Sequence, residues 1–261
     1  MNEAAALRER YLANAAATAE TLLRRLALKT AGLSGADIER LVREARAMAR
    51  REQRPLSWTD LERLLEAGRP KITDGLRRRA AIHEAGHAIV GHLLGIGCIR
   101  SVGIAVTSNE AGHVRSEETA ADEQVEPRLM ARLAVLLAGR AAERVILGTV
   151  SAGAGGDHDS DLAQATKLAA DIETVLGLAR TRPLLHRRIE PFMLLGGQEK
   201  GLVRRIDRRL RRAERQASRI VREHRDAVID LAVRLLEAEV LEGEELHRLL
   251  PQREGGGSSV P

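Results

Sequence analysis

Apolar residues recur every three or four positions along most of the chain, which is the spacing of amphipathic α-helices. The clearest case spans residues 73–95. One face of that helix would carry Ile82, Ala85, Ile89 and Leu93. Similar patterns cover residues 36–52, 57–65, 127–147 and 161–176. Most of the chain is therefore predicted to be helical.

One segment instead has the alternating pattern of a β-strand. Residues 98–107 alternate and are rich in β-branched side chains, and we expect residues 112–116 to pair with them. No other part of the sequence predicts β-structure convincingly. The predicted fold class is therefore mainly α, in an α+β arrangement in which a small β-hairpin or sheet accompanies a helical domain.

The C-terminal third repeats the three-four spacing from Val203 to Leu231, as in the seam of a coiled coil. His224 occupies one of the expected apolar positions. The pattern fits either one long helix or two helices that break near residues 224–226. The tail, residues 251–261, is rich in Gly, Ser and Pro and is predicted to be disordered.

The charge of the chain is basic but balanced, with 42 Lys and Arg against 37 Asp and Glu among 261 residues. Much of the Arg lies at helical spacing beside Glu and Asp, which is typical of a solvated helix face. Aromatic residues make up only 1% of the chain, so few rings could stack on bases. We therefore expect no nucleic-acid partner.

The sequence also limits the compartment. Cys98 is the only cysteine, so no intramolecular disulfide can form and a reducing, cytoplasmic location is expected. The N-terminus lacks the apolar core of an export signal. The longest uncharged stretch, residues 85–99, is too short to span a bilayer, so the chain is expected to be soluble.

The sequence HEAGH, which begins at His83, carries the clearest chemistry. Four residues turn a helix by about 400°, so His83 and His87 would point to one side, roughly 40° apart. A catalytic zinc site uses three protein ligands and leaves one position for water. Glu84 would stand next to that position as a general base.

The third ligand does not follow from spacing alone. His92 lies five residues after His87, about 140° around the helix, and should face away from the metal. The remaining candidates are Glu143 and four residues that follow a glycine-rich loop. Those four are Asp157, His158, Asp159 and Asp161.

Residues 73–250 resemble the peptidase domain of the FtsH-type AAA+ zinc metalloproteases. The matching motifs, in order, are AIHEAGHAIV, ARLAVLLAGRAAERVILG, VSAGA followed by SDLAQATKLA, and RDAVIDLAVRLLEAEVLEGEEL. The resemblance implies one Zn²⁺ per chain and Asp161 as its third ligand. The loop before Asp161 has about four residues more than is usual in the family, so Asp157 and Asp159 stay as lesser candidates. The resemblance also implies that Glu143 orients a ligand histidine.

The N-terminal stretch LALKTAGLSGADIERLVREARAMARREQRPLSWTDLERLLE resembles the helical lid of an AAA+ ATPase. The sequence has no GxxxxGK[ST] loop, so this chain by itself is not expected to bind ATP. The resemblance implies a homohexamer and an AAA+ ATPase module, supplied by a longer form of the same chain or by another chain. The predicted divisions are a lid-like segment (1–70), a peptidase core (71–195), long C-terminal helices (196–250) and the tail.

The predicted function is zinc-dependent endopeptidase activity on unfolded or damaged proteins. As a hypothesis, the edge of the alternating strand at Val102, Ile104 and Val106 would hold an extended substrate through main-chain hydrogen bonds. The alternative function is that of a non-catalytic, metal-stabilised helical module that assembles with ATPase subunits. A general base at Glu84 favours the enzyme, because a scaffold does not need one.

Overall fold

The computed structural model describes most of the chain. The described residues are 22–23, 26–27, 30, 33–67, 73–104, 112–117, 124–152, 155, 159–187 and 200–253. They fall into two compact units, which divide near residue 72. Val106, Asp157, His158 and most of the predicted disordered tail lie outside the described residues.

In the first unit, helix α1 (Gly35–Arg51) begins at a capping box. The Ser34 hydroxyl accepts a hydrogen bond from the backbone N–H of Asp37, at 3.2 Å. In return, the Asp37 carboxylate accepts one from the backbone N–H of Ser34, at 3.1 Å. This exchange satisfies two N–H groups that a helix start leaves without helical partners. The helix predicted at residues 36–52 is confirmed within one residue at each end.

Helix α2 (Trp58–Ala67) is anchored by a buried carboxylate, Asp60. Two nitrogens of the Arg54 guanidinium donate to its two oxygens, both at 2.6 Å, and the backbone N–H of Ser57 donates at 2.9 Å. These bonds connect the turn before the helix to its first residues. They also hold the pKa of Asp60 well below its usual range.

The second unit is mainly helical and contains a small sheet. In chain order its elements are α3 (Asp74–Leu93), β1 (Cys98–Gly103), β2 (His113–Glu117), α4 (Glu126–Leu136), α5 (Ala138–Ala142), a π-helical turn (Glu143–Leu147), α6 (Asp161–Thr174), α7 (Lys200–Glu223), α8 (Arg225–Ala238), β3 (Val240–Glu242) and α9 (Gly243–Leu249). The predicted fold class is confirmed. Among the residues described, no helix is both long and apolar enough to cross a membrane.

Helix α3 lies at the centre of this unit, and it is buried over most of its surface beyond the first two turns. It packs mainly against α8 and α5. Gly86 permits the close approach of α5, because a Cβ there would lie 2.8 Å from the carbonyl oxygen of Ala138. The backbones of α3 and α5 therefore come closer than larger residues would allow.

The sheet has the strand order β2-β1-β3, and both pairings are antiparallel. Val102 in β1 pairs with Val114 of β2 on one side and with Leu241 of β3 on the other. The expected hairpin partner of β1 is therefore present. The expectation that β-structure is confined to this hairpin is wrong. A three-residue strand such as β3 is too short to show an alternating pattern in sequence.

Two predicted helical regions are interrupted. Residues 127–147 do not form one helix, because α4 ends at Leu136, α5 follows it, and a π-helical turn completes the segment. The spacing of apolar residues does not reveal where one helix gives way to the next or where an α-helix changes to a π-helical turn. In the C-terminal region the structure selects two helices over one, and α7 and α8 are separated at His224.

Candidate metal centre

Two histidines of α3 and the first residue of α6 meet at one point. His83 and His87 lie one turn apart, with ring centroids separated by 4.8 Å. The Oδ2 atom of Asp161 lies 3.1 Å from the Nε2 atom of each histidine. Within the described part of the chain, these three residues form the group that could hold a metal ion.

The spacing of these atoms fits a zinc ion. Zinc bonds to histidine nitrogen and carboxylate oxygen are about 2.0–2.1 Å long, so two ligand atoms at tetrahedral positions are about 3.3 Å apart. The two distances of 3.1 Å from Asp161 are close to that value. Two imidazoles and one carboxylate are also a common ligand set for catalytic zinc.

The other nitrogen of each histidine is already engaged. Nδ1 of His87 lies 2.8 Å from the backbone carbonyl oxygen of Val135, which can only accept, so Nδ1 donates. Nδ1 of His83 lies 2.8 Å from Oε1 of Glu143, an ionised carboxylate that also accepts. Both rings are therefore held with Nε2 toward Asp161, as a metal site requires.

Glu143 accepts four hydrogen bonds beside the site, and only 1% of its surface is exposed. Besides His83, its carboxylate accepts from the Arg79 guanidinium at 2.6 Å, from the backbone N–H of Ser151 at 2.7 Å and from the Ser151 hydroxyl at 3.1 Å. Arg79 also donates to the carbonyl and hydroxyl oxygens of Thr149. These contacts fix both the position and the charge of Glu143.

The electrostatics of this three-residue group and Glu143 favour a cation. Burial acts to lower the pKa of His83, but its hydrogen bonds with Asp161 and Glu143 outweigh burial and raise the pKa to about 9. Burial acts to raise the pKa of both carboxyls, yet hydrogen bonds hold each well below its usual range. Asp161 accepts them from both histidines, and Glu143 accepts them from His83, Arg79 and Ser151. Two ionised carboxylates therefore surround His83, and a divalent ion would replace its extra proton.

Helix α6 is held at both ends. At its start, the Ser160 hydroxyl accepts from the backbone N–H of Ala163, and Asp161 occupies the positive end of the helix. Near its end, the buried carboxylate of Glu173 accepts from Arg205 at 2.7 Å and from Arg209 at 2.6 Å, both on α7. The ligand helix is therefore fixed against the long C-terminal helix.

Glu84 follows His83 on α3 and is almost buried, with 9% of its surface exposed. Its carboxylate lies against the backbone of Gly112, immediately before β2. His92, expected to face away from the metal, has its Nε2 atom 3.0 Å from the carbonyl oxygen of Pro251. Asp159 is described but does not belong to the three-residue group.

The strand-edge hypothesis requires correction. β1 is the central strand, and it is paired on both sides at Val102. The backbone N–H of Ile104 donates to the carbonyl oxygen of Glu239, and the side chains of Val102 and Ile104 are both buried. These two residues cannot therefore offer a free edge to a substrate, and Val106 lies outside the described residues.

Sequence reasoning missed three groups around the histidines. The carbonyl oxygen of Val135 belongs to the backbone, so no residue type reveals it. Ser151 contacts Glu143 through its backbone as well as through its hydroxyl. Arg79 did leave a signal, because it lies four residues before His83 and thus on the same helix face.

Comparison with known proteins agrees with this site. Residues 71–249 match the family model described as peptidase family M41, and residues 21–63 match that of the AAA+ lid domain. One similar protein is "ATP-dependent zinc metalloprotease FtsH 4" of Synechocystis sp., which is 31% identical over 265 residues, covering 92% of this chain and 42% of that protein.

Two further relatives are similar to the same degree. "ATP-dependent zinc metalloprotease FtsH 1" of Symbiobacterium thermophilum is 37% identical over 260 residues, covering 93% of this chain and 41% of the relative. "ATP-dependent zinc metalloprotease FtsH" of Thermotoga maritima is 30% identical over 250 residues, covering 87% of this chain and 40% of the relative. The chain thus spans about two fifths of the length of these curated relatives. With a family model matched over more than half of its residues, the chain belongs to peptidase family M41, the FtsH-type family, and an AAA+ lid segment precedes its peptidase domain.

Proposed function

We propose that this chain is a zinc-dependent endopeptidase that cleaves unfolded polypeptides. The observation that carries the proposal is the convergence of His83, His87 and Asp161 to a spacing that suits zinc. Glu84 adds a carboxylate directly beside the first of these ligands. Membership of a peptidase family agrees with this chemistry.

The residues of the site have distinct roles in hydrolysis. His83, His87 and Asp161 would hold Zn²⁺, which when bound supplies a Lewis acid that makes water acidic and polarises a peptide carbonyl. Glu84 would take the proton of the attacking water and return it to the leaving amine. Glu143 keeps a proton on Nδ1 of His83, so that Nε2 is left for the metal.

Replacing the general base tests this proposal. Glu84→Gln should bind zinc as the wild type does but hydrolyse an unfolded, dye-labelled protein at least about 10²-fold more slowly. Glu244→Gln is a matched control, because the Glu244 side chain is 94% exposed on α9. A Glu84→Gln protein that keeps full activity, or a zinc-loaded wild type with none, would overturn the proposal. The second result would favour the non-catalytic assembly module.

The substrate is proposed to bind in an extended form along β2. Of the described strands, β2 pairs only with β1, and its first residue follows Gly112 beside Glu84. A peptide added there would pass the general base, and main-chain hydrogen bonds would make binding tolerant of sequence. Model peptides N-methylated at single backbone positions should show raised KM values. Unchanged KM values at every position would exclude strand addition.

The assembly is also a proposal. The AAA+ lid match and the words "ATP-dependent" in the names of the relatives support an ATPase module, in a longer form of this chain or in another chain. A homohexamer is proposed from the resemblance to the FtsH-type family. Light scattering should detect an oligomer, and a monomer at high concentration would contradict it. A cytoplasmic location is proposed from the single cysteine. The finer division at residues 70, 195 and 250 stays a prediction.

A further inference from the structure

The backbone approaches the proposed general base most closely at Gly112. A Cβ atom built on Gly112 would lie 2.5 Å from Cγ of Glu84, 2.7 Å from its Cδ and 2.6 Å from its Oε1. Non-bonded carbon atoms normally approach to about 3.5–4.0 Å. Any side chain at position 112 would therefore displace the Glu84 carboxylate by about 1 Å.

The need for glycine here does not come from the backbone conformation. Gly112 is not among the described glycines with a positive φ, so alanine could adopt the same backbone angles without strain. What glycine provides is room for the end of one side chain. The atoms that would clash belong to the flexible Glu84 side chain and not to the backbone. In Gly112→Ala this side chain can therefore move while the fold is kept.

We propose that Gly112 is a positioning residue for catalysis, whose missing side chain sets where the Glu84 carboxylate stands. This inference rests on the proposed function, in which Glu84 transfers protons. Glu84 is nearly buried, so the wall formed by Gly112 limits the positions open to its carboxylate. Proton transfer requires heavy atoms within about 2.6–3.2 Å, so a displacement of this size matters.

A second glycine offers an instructive contrast. A Cβ on Gly139 of α5 would overlap the imidazole of His83, a proposed zinc ligand. Gly139→Ala should therefore weaken metal binding, whereas Gly112→Ala should leave metal binding intact and impair the chemical step. Gly75→Ala is the neutral control, because the nearest atom to its Cβ would be Oγ1 of Thr73, at 3.9 Å.

The experiment uses the full chain, loaded with zinc, and an unfolded protein substrate. Zinc affinity is measured by competition with a coloured chelator, stability by thermal unfolding, and kcat and KM by steady-state cleavage. We expect Gly112→Ala to lower kcat about 10²-fold. Its KM, zinc affinity and unfolding temperature should stay close to those of wild type and Gly75→Ala. A kcat within about threefold of wild type would overturn the proposal, as would a parallel loss of zinc affinity.

A double-mutant cycle tests whether Gly112 acts through Glu84. Glu84→Ala removes Cγ, Cδ and Oε1, the three atoms that clash. Gly112→Ala should then lower the residual kcat less than about threefold when added to Glu84→Ala. An equal loss in both backgrounds would show that Gly112 acts independently of Glu84 and would overturn the proposal.

Two further outcomes are separable. If Gly112→Ala unfolds, Glu84→Ala should restore its stability by removing the clash, and a failure to do so would refute the positioning role. If zinc-loaded wild type does not cleave, the proposed function itself has failed, and the catalytic role of Gly112 fails with it. Cleavage by wild type together with a normal kcat for Gly112→Ala rejects only the inference about Gly112.

Discussion

Replacing Glu143 with glutamine would test how the ligand histidine is held. The carboxylate accepts two hydrogen bonds at each oxygen: from His83 and the Ser151 hydroxyl at Oε1, and from Arg79 and the Ser151 backbone at Oε2. An amide has one accepting oxygen and one donating NH₂ group, so it can accept at only one of the two ends.

The donors decide how the amide is oriented. Arg79 and the backbone N–H of Ser151 can only donate, so we expect the amide oxygen at their end. The NH₂ group would then face Nδ1 of His83 and the hydroxyl of Ser151, both of which can accept. A neutral His83 that accepts at Nδ1 carries its proton at Nε2, the atom that the metal needs.

We therefore expect Glu143→Gln to fold but to bind zinc about 10–100-fold more weakly, which corresponds to about 1.4–2.8 kcal/mol. Chelator competition measures the affinity, and ¹⁵N chemical shifts of the His83 ring report which nitrogen carries the proton. Glu214→Gln is the control, because Glu214 pairs with Arg140 and Arg144 instead of a ligand histidine. Wild-type zinc affinity in Glu143→Gln would refute this account of the tautomer.

Three other perturbations have defined outcomes. Zinc must displace a proton from His83, whose pKa is about 9 without metal, so zinc affinity should rise about tenfold per pH unit from neutral pH to about 9. Calorimetry in buffers of different ionisation enthalpy would count that proton, and no release would contradict the expectation. Arg209→Met leaves one oxygen of the buried Glu173 without its arginine while Arg205 still pairs with the other, and it should cost about 1–3 kcal/mol in urea unfolding, part of it recovered with Glu173→Leu. Asp60→Asn should destabilise the first unit at neutral pH and progressively less below about pH 4, because unfolded aspartate is protonated there while Arg54 keeps the folded carboxyl ionised. Hydrogen exchange of α2 would measure the loss of stability in Asp60→Asn at each pH. An equal loss in strong acid would contradict this expectation.

Features that depend on neighbouring residues could be predicted from the sequence. The apolar spacing over residues 36–52 predicted α1 to within one residue at each end. The four-residue spacing of His83 and His87 was enough by itself to place two imidazoles on one helix face. Such features are predictable because a helix converts a short separation in sequence into a fixed angle.

Features that depend on tertiary packing were less accessible. Asp161 is 78 residues from His83, and family resemblance, not spacing, singled it out from its acidic neighbours. Val102 of β1 pairs with β3, so the free strand edge that we expected there from the alternating sequence pattern does not exist. The crowding of Glu84 by Gly112 joins helix α3 to the start of β2, and nothing in the local pattern around either residue indicates it.

The start of α2 has a practical consequence for anyone who follows unfolding by light emission. Trp58 is the only tryptophan of the chain, and it belongs to the first unit. Its indole N–H is buried and has no hydrogen-bond partner among the described residues, so water that enters on unfolding should change its emission. Tryptophan fluorescence therefore reports on the first unit, while circular dichroism follows mainly the zinc-binding unit, which contains most of the helical residues described. Coincident curves from the two methods would mean that both units unfold as one cooperative block.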